Sequence, residues 1–340
     1  MYAAELQALG MNDLAVEVMD QSGNFPLLLE RQTDTGQDAC LSGEHAFLEL
    51  WNKNRGWIDR ALLKHGALLF RGFSISSQEV FQSAISRLKE ELLDYVDGDS
   101  PRTKLGGGVY TSTEYPSDLF IPLHNELSYS VRWPARLFFC CIVQPQDGGQ
   151  TPLVSSRALL QALPAEIVSE FRKRKVRYVR NLHAGKGTGK SWQETFETTD
   201  RKNVDRFIRN SDMQACWNPD GSLRLISIRS ATAIHPVTGD EVWFNQADQF
   251  HPSSLPQATY ESLMALYEGY EDEMPENATF GDGSPIPIEY LQCIRETTQR
   301  LLVRFDWRKG DLLMVDNMLL AHGRMPFTGA RKILVVMTAH

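Results

Sequence analysis

The sequence lacks the features that mark several classes of protein. It carries 35 lysines and arginines against 43 aspartates and glutamates, so it has no basic excess for binding nucleic acid. No stretch approaches the apolar length that a membrane helix requires. Its five cysteines are an odd number and scattered, which favours free thiols over a disulfide framework. We therefore expect a cytoplasmic protein that contacts neither nucleic acid nor membrane.

No low-complexity linker and no internal repeat divides the 340 residues, so we predict a single domain spanning 1–340. Amphipathic spacing predicts helical packing elements within residues 1–60. From residue 106 onward, short apolar segments alternate with turns, which is typical of an antiparallel barrel or sandwich. The sequence therefore predicts a mainly β fold with flanking helices.

Two short motifs far apart in the chain predict one metal site. In an extended strand, His124 and Glu126 project from the same face while Asn125 points away. A second imidazole can come from His322, which follows a buried apolar segment at 312–315. Two histidines and one carboxylate are the ligands of non-haem iron(II) oxygenases, but zinc hydrolases use the same set. These three residues therefore predict a metal centre and leave the metal open.

The end of the chain supplies a further argument. Apolar segments at 311–315 and 331–337 predict two strands joined by a turn, so His322 and Arg331 would lie on opposite arms of a hairpin and face one cavity. An arginine presents a planar fork that suits a carboxylate. An oxygenase that chelates iron with 2-oxoglutarate needs such a group for the far carboxylate of this co-substrate, and Thr151 could add a hydroxyl hydrogen bond. A zinc hydrolase has no general need for it.

Several motifs, taken in this order, resemble the taurine dioxygenase (TauD/TfdA) superfamily. They are His124-x-Glu126, Gly148-Gly149-Gln150-Thr151-Pro152 and Ala321-His322-Gly323-Arg324-x-Pro326-Phe327-x-Gly329-x-Arg331. Within the superfamily the likeness is greatest to amino-acid-modifying enzymes of non-ribosomal peptide pathways, of the syringomycin-hydroxylase type. Residues 109–116 and 243–246 also resemble that branch, and the similarity runs from Gly66 to the C-terminus.

This resemblance implies a double-stranded β-helix, a distorted jelly roll like that of clavaminate synthase. It implies iron(II) on His124, Glu126 and His322, with 2-oxoglutarate held by Thr151 and Arg331 and O2 as the oxidant. The superfamily more often uses aspartate where this chain has Glu126, which is similar to clavaminate synthase and argues against taurine as the substrate. Residues 172–222 would form an insertion that acts as a lid over the active site.

The resemblance also implies a class of substrate. An amino acid or aminoacyl group, either free or attached to an acidic carrier protein, would be oxidised at an unactivated carbon with release of succinate and CO2. Halogenases of related type lack the carboxylate ligand, so Glu126 favours hydroxylation, desaturation or epoxidation over chlorination. Polar residues expected near the mouth of the site are Glu114, Asn125, Asn245 and Arg324.

Two alternatives remain open at this point. Residues 184–191 nearly match a phosphate-binding P-loop with alanine in the first glycine position, which would indicate an NTP-using kinase or ATPase. A zinc hydrolase would use the same two histidines and glutamate as the proposed oxygenase.

Overall fold

The computed structural model describes Glu5, Met11 and residues 13–20, 24–32 and 43–339. The strands are β1 Leu14–Val18, β2 Leu27–Arg31, β3 Ala67–Arg71, β4 Leu92–Leu93, β5 Lys104–Gly106, β6 Val109–Thr111, β7 Ile121–His124, β8 Arg136–Val143, β9 Asp147–Gly148, β10 Leu153–Ser155, β11 Val176–Leu182, β12 Gln214–Trp217, β13 Leu223–Arg229, β14 Thr232–Ile234, β15 Glu241–Trp243, β16 Glu276–Phe280, β17 Leu312–Asp316, β18 Leu320–Arg324, β19 Phe327–Thr328 and β20 Lys332–Thr338.

The α-helices accompany these strands, and short 3-10 turns follow at Pro252–Ser254 and Glu271–Glu273. The helices are α1 Gly43–His65, α2 Gln78–Arg87, α3 Ser156–Ala162, α4 Ala165–Arg174, α5 Trp192–Thr195, α6 Arg201–Arg209, α7 Ala247–Phe250, α8 Gln257–Leu266 and α9 Ile288–Leu301. The predicted class, mainly β with flanking helices, is confirmed.

A large sheet forms the main layer, with strands in the order β1-β2-β3-β17-β8-β20-β6-β5 and β4 beside β20. Its central strands are continuous apolar runs because both faces are buried. Along β8, Leu137 and Phe139 belong to one core, whereas Phe138 and Cys140 belong to the core on the opposite face. The period of two residues therefore divides one apolar run between two cores.

A small sheet of β10, β18 and β7 packs on the first of these cores. In its register His322 of β18 lies opposite His124 of β7 on one side and opposite Leu153 of β10 on the other. The pairing of β18 with β7 is irregular between His322 and Arg324. This sheet brings together the two motifs that the sequence had placed far apart.

Three details differ from the sequence-based expectations. Within residues 1–60, β1 and β2 form an antiparallel pair, and β2 lies parallel to β3; the run Leu27–Leu29 is fully buried in the sheet, so it takes a strand and not a helix. Helical spacing of the apolar residues also predicts a helix from 77 to 93, but α2 ends at Arg87, and Lys89 beyond it has a positive φ of 59°. The same kind of spacing predicts one helix from Ser156 to Phe171, but it is interrupted at Pro164, as proline disfavours helical geometry in the residue before it.

The predicted hairpin at the end of the chain is also wrong. Strands β17 and β20 lie in the large sheet but are separated by β8. Strand β18, which carries His322, lies in the small sheet. The chain therefore crosses from one layer to the other between β18 and β20.

Strands β12, β13, β11 and β16 form a further antiparallel sheet. Two of them, β11 and β12, lie within the segment 172–222 that is expected to be an insertion. The glycine-rich loop at 184–191 contacts the segment before β5, because Lys190 Nζ donates to the carbonyl of Gly98 at 2.8 Å. Its role as a lid stays a prediction. Among the helices that the described ranges contain, none has both the length and the apolar character to cross a bilayer.

Candidate metal centre and active site

Two imidazoles face each other between the two sheets. His124 ends β7 and His322 lies in the middle of β18, with their ring centroids 4.6 Å apart. The ring of Phe139, from the large sheet, lies 5.1 Å from that of His322. Both histidines are buried, with exposed fractions of 5% and 4%. The sequence predicted this pairing of residue types, but the register of the small sheet decides the distance.

Glu126 reaches the histidines from a turn and not from a strand, since β7 ends at His124. The side chain of Asn317 holds this turn. Its Oδ1 accepts from the Glu126 N–H at 2.7 Å, and its Nδ2 donates to the carbonyls of Glu126 and Pro134, both at 2.9 Å. Asn317 is fully buried and precedes β18, so one amide joins the two motifs. No pattern in the sequence points to Asn317, because hydrogen bonds between distant parts of the chain produce no regular spacing of residues.

The three side chains meet at one point. Each of His124, Glu126 and His322 offers a ligand atom, and these atoms all lie within 4.8 Å of one another. Glu126 Oε2 is 3.8 Å from His322 Nε2. His124 Nδ1 donates to the Pro122 carbonyl at 2.8 Å, while its Nε2 is buried without a hydrogen-bond partner. A buried nitrogen without a partner, beside a carboxylate and a second imidazole, fits a divalent metal ion.

The protonation of the imidazoles suits metal binding. Burial lowers the pKa of His322 well below its ordinary value, and the nearby His124 and Arg102 lower it further. Burial also lowers the pKa of His124. Both rings are therefore neutral at pH 7, which is the form that binds a metal.

A cavity beside the two imidazoles is lined by Arg331 and Thr151, the residues predicted to hold 2-oxoglutarate. Arg331 donates to the Gly149 carbonyl at 3.0 Å and to Ser112 Oγ at 3.4 Å. Within the described part of the chain it pairs with no carboxylate. Burial lowers the pKa of this guanidinium to about 10. A buried cation with only neutral partners is suited to binding an anion.

Thr151 lies opposite Arg331 in this cavity, just before β10. Its Oγ1 accepts a hydrogen bond from Trp307 Nε1 at 3.1 Å, which leaves the hydroxyl hydrogen available to a ligand. The backbone before Thr151 comes close to the side chain of Arg331 at Gly149, which has a φ of 67°. A Cβ at this position would lie 3.0 Å from Arg331 Cδ. The Gly-Gly turn therefore lets the backbone pack directly on the guanidinium.

Arg102 is the main residue of this cavity that sequence analysis missed. Its side chain is 2% exposed, and its Nη2 is 2.5 Å from Glu126 Oε2. Its Nε and Nη1 are buried and have no partner. Arg102 precedes β5 in a segment without periodic pattern, so its position relative to the metal-site residues could not be read from spacing.

Three of the predicted substrate residues lie outside the cavities around the metal site. Asn125 Nδ2 donates to Ser156 Oγ and to the Asn317 carbonyl, which points it away from Glu126 as the alternation predicted. Asn245 binds the backbone of Ala231 and Ala247. Glu114 is exposed, and its carboxylate accepts from Thr111. The polar atoms of these three residues already have partners within the fold, and their roles in binding a substrate stay predictions.

The fourth, Arg324, does line the cavity with Arg331. Its two terminal nitrogens are engaged by backbone carbonyls of the loop before β7, those of Tyr115, Pro116 and Leu119. Arg324 therefore fixes a wall of the cavity with its terminal nitrogens, while its Nε is buried without a hydrogen-bond partner, and its role in binding a substrate stays a prediction.

A second cavity is lined by His124 and Glu126. Its other lining residues are polar or aromatic: Tyr95, Asp99, Ser100, Tyr129, Gln246, Gln249 and Phe250. The side-chain oxygens of Gln246 and Gln249 are buried and have no hydrogen-bond partner. A ligand with N–H or O–H groups would satisfy them.

Comparison with known proteins decides the family. The model of the family described as "Taurine catabolism dioxygenase TauD, TfdA family" matches residues 42–338. The chain belongs to this family. It is an iron- and 2-oxoglutarate-dependent dioxygenase, as the sequence motifs predicted.

Two relatives of this TauD/TfdA protein support the assignment. It is 37% identical over 280 residues to the dapdiamide synthesis protein DdaC of Enterobacter agglomerans, covering 82% of this chain and 84% of DdaC. It is 30% identical over 298 residues to a clavaminate synthase-like protein of Arabidopsis thaliana, covering 85% and 86%.

Solved structures show the same fold at low sequence identity. PvcB from Pseudomonas aeruginosa is 17% identical, with a TM-score of 0.52 over 96% of this chain and 92% of PvcB. AAD-2, in complex with Mn(II) and N-oxalylglycine, is 15% identical, with a TM-score of 0.52 over 96% and 97%. The predicted jelly roll is thereby confirmed.

The alternatives are not favoured in this TauD/TfdA chain. The P-loop-like segment 184–191 follows β11, which pairs antiparallel with β13 and β16, and the helix after it has four residues. A phosphate loop needs a strand and a full helix whose N-terminus binds the anion. Here Lys190 is instead engaged by backbone carbonyls.

Proposed function

We propose that this dioxygenase uses O2 to hydroxylate an unactivated carbon of an amino acid or aminoacyl substrate, converting 2-oxoglutarate to succinate and CO2. The observation that carries the proposal is the unpartnered Nε2 of His124 beside Glu126 and His322, with the unpaired Arg331 in the adjoining cavity. Bound iron supplies the redox chemistry that couples oxidation of the co-substrate to oxidation of the C–H bond.

The chain's own residues bind and orient. His124, Glu126 and His322 would hold the iron, with Glu126 fixed by Asn317. Arg331 would hold the far carboxylate of 2-oxoglutarate, assisted by the Thr151 hydroxyl. A charge-assisted pair between guanidinium and carboxylate in a buried site is about twice as strong as a neutral hydrogen bond. This fixes one end of the co-substrate while the other meets the metal.

The second cavity would receive the group of the substrate that lies next to the metal, because His124 and Glu126 line it together with side-chain oxygens that have no partner. The free amide oxygens of Gln246 and Gln249, with the carboxylate of Asp99, favour a group that donates hydrogen bonds, such as an ammonium. The aromatic wall would pack against the apolar part of the molecule. The name of one relative, a dapdiamide synthesis protein, supports a role in a biosynthetic pathway.

A free amino acid is the form to test first. An acidic carrier protein would dock on the basic run 172–175 before β11, but two arginines of this run are paired within the chain. Arg172 binds Glu241 and Arg174 binds Asp282. Less positive charge is therefore available to a carrier than the sequence suggests.

The test is to incubate anaerobically purified protein with iron(II), 2-oxoglutarate and a panel of amino acids, admit O2, and measure succinate. Succinate that depends on one amino acid, together with a product heavier by one oxygen atom, supports the proposal. Turnover that persists without O2 and 2-oxoglutarate would instead indicate a hydrolase. Arg331→Gln is expected to abolish most of the succinate, whereas Arg55→Gln, on the outer helix α1, is the matched control and should leave it unchanged.

A further inference from the structure

Arg102 has more hydrogen-bonding capacity than the protein uses. Its guanidinium stacks over the Tyr95 ring at 4.3 Å and gives one nitrogen to Glu126. The other two nitrogens, Nε and Nη1, are buried without partners. Each unpaired N–H of a buried charged group is destabilising. A ligand that accepts hydrogen bonds from both nitrogens would remove this cost.

The position of Arg102 indicates where that ligand lies. Arg102 lines the same cavity as Arg331, Thr151 and the two imidazoles. It also touches the oxygen of Glu126 that is 3.8 Å from His322 Nε2. Arg102 is therefore at the metal end of the cavity.

Charge balance points to a carboxylate. Three guanidinium groups line the cavity, those of Arg102, Arg324 and Arg331, and the terminal nitrogens of Arg324 are already bound by backbone carbonyls. The carboxylate of Glu126 contacts Arg102. When Glu126 binds a divalent cation, much of its charge is engaged by the metal, and Arg102 loses its main counter-ion. A dicarboxylate would then provide one carboxylate for Arg102 and one for Arg331.

We propose that Arg102 binds the carboxylate at the keto-acid end of 2-oxoglutarate, while Arg331 binds the far carboxylate. This inference rests on the proposed function, since it assumes that the co-substrate occupies this cavity. Arg102 thus exchanges its contact with Glu126 for a forked contact with the ligand through Nε and Nη1. The same carboxylate chemistry could come from the amino-acid substrate, and the experiment separates the two sources.

The experiment measures ligand binding and not turnover. Wild-type protein and the variants Arg102→Gln, Arg331→Gln and Arg55→Gln are loaded with saturating Mn(II) and titrated calorimetrically in the absence of O2. One probe is N-oxalylglycine, which has both carboxylates. The other is N-methyloxamate, which retains the keto-acid-like end and lacks the far carboxylate. Manganese affinity and circular dichroism are measured in parallel.

We expect Arg102→Gln to weaken both probes by roughly 10- to 100-fold, the effect of losing charged hydrogen bonds. Arg331→Gln should weaken N-oxalylglycine alone, and Arg55→Gln should change neither. Arg102→Lys keeps the charge beside Glu126 but not the fork, so it should retain manganese and still bind both probes more weakly than wild type. If Arg102→Gln no longer binds manganese, the affinity of Arg102→Lys for the two probes tests the inference instead.

Two results overturn the inference. If Arg102→Gln and Arg102→Lys bind both probes as wild type does, the free nitrogens do not serve the co-substrate, which leaves a carboxylate of the substrate as the source to test next. If both variants weaken manganese by the same factor as the probes, Arg102 acts only by positioning Glu126. Failure of wild-type protein to bind N-oxalylglycine with Mn(II) is a different outcome, because it removes the proposed function itself.

Discussion

Asn317 gives the sharpest test of how the site is held together. Its side chain makes three buried hydrogen bonds, two to the backbone of Glu126 and one to that of Pro134. Asn317→Ala removes all three, and at roughly 1 kcal/mol for each bond we expect a loss of about 3 kcal/mol in the free energy of unfolding. The turn that carries Glu126 is then no longer fixed, so metal affinity should fall by roughly 10- to 100-fold.

The assay pairs urea denaturation of the metal-free protein with Mn(II) titration of the folded protein. Asn181→Ala is the matched control. Asn181 also takes part in three side-chain hydrogen bonds, with Asp272, Met274 and Arg224, but it lies on β11. It should lose comparable stability and keep its metal affinity. Wild-type metal affinity in Asn317→Ala, or an equal loss of affinity in Asn181→Ala, would refute the reasoning.

Three further outcomes are expected. Because the pKa of His322 is lowered in the folded protein, the unfolded chain takes up a proton below about pH 6.5 that the folded protein does not. The contribution of His322 to the free energy of unfolding is therefore full above this pH and falls below it, by about 1.4 kcal/mol per pH unit. His322→Gln should remove this pH dependence, measured by denaturation of the metal-free protein between pH 7 and about pH 5.5. Gly323→Ala would bring a Cβ to 2.5 Å from the Ile121 carbonyl, so it should separate β18 from β7 and abolish Mn(II) binding; a variant with wild-type metal affinity would contradict the register. Lys190→Ala should leave ATP unbound, as in wild type, and lower the midpoint of thermal unfolding; ATP binding by wild-type protein that this variant loses would restore the P-loop interpretation.

Much of the site could be predicted from the sequence because its chemistry needs particular residue types. His124 and Glu126 are two residues apart, and only a local turn or strand is required to bring them together. A dicarboxylate co-substrate requires a cation and a hydroxyl group to bind its far carboxylate, which pointed to Arg331 and Thr151. Both residues line the cavity. The hairpin invoked for Arg331 was wrong, since β18 and β20 belong to different sheets.

The residues that sequence analysis missed share one property: their contacts join distant parts of the chain. Arg102 contacts the carboxylate of Glu126 and Asn317 contacts its backbone, and neither residue is placed there by periodicity. Two of the predicted substrate residues show the converse. Asn125 and Asn245 are polar and adjacent to the motifs, but their side chains satisfy buried backbone groups, a need that only the packed structure reveals.

The sequence by itself determined the chemistry of this protein, because ligand types, their local spacing and the apolar runs of the central strands are written along the chain. Tertiary structure alone decided which groups are left without partners. The register of β18 against β7 brings two imidazoles together, and the packing of the fold around them buries both. Burial then makes each unpaired nitrogen of His124 and Arg102 unfavourable until a ligand binds. That cost depends on the surroundings in three dimensions, and no pattern of residues along the chain contains it.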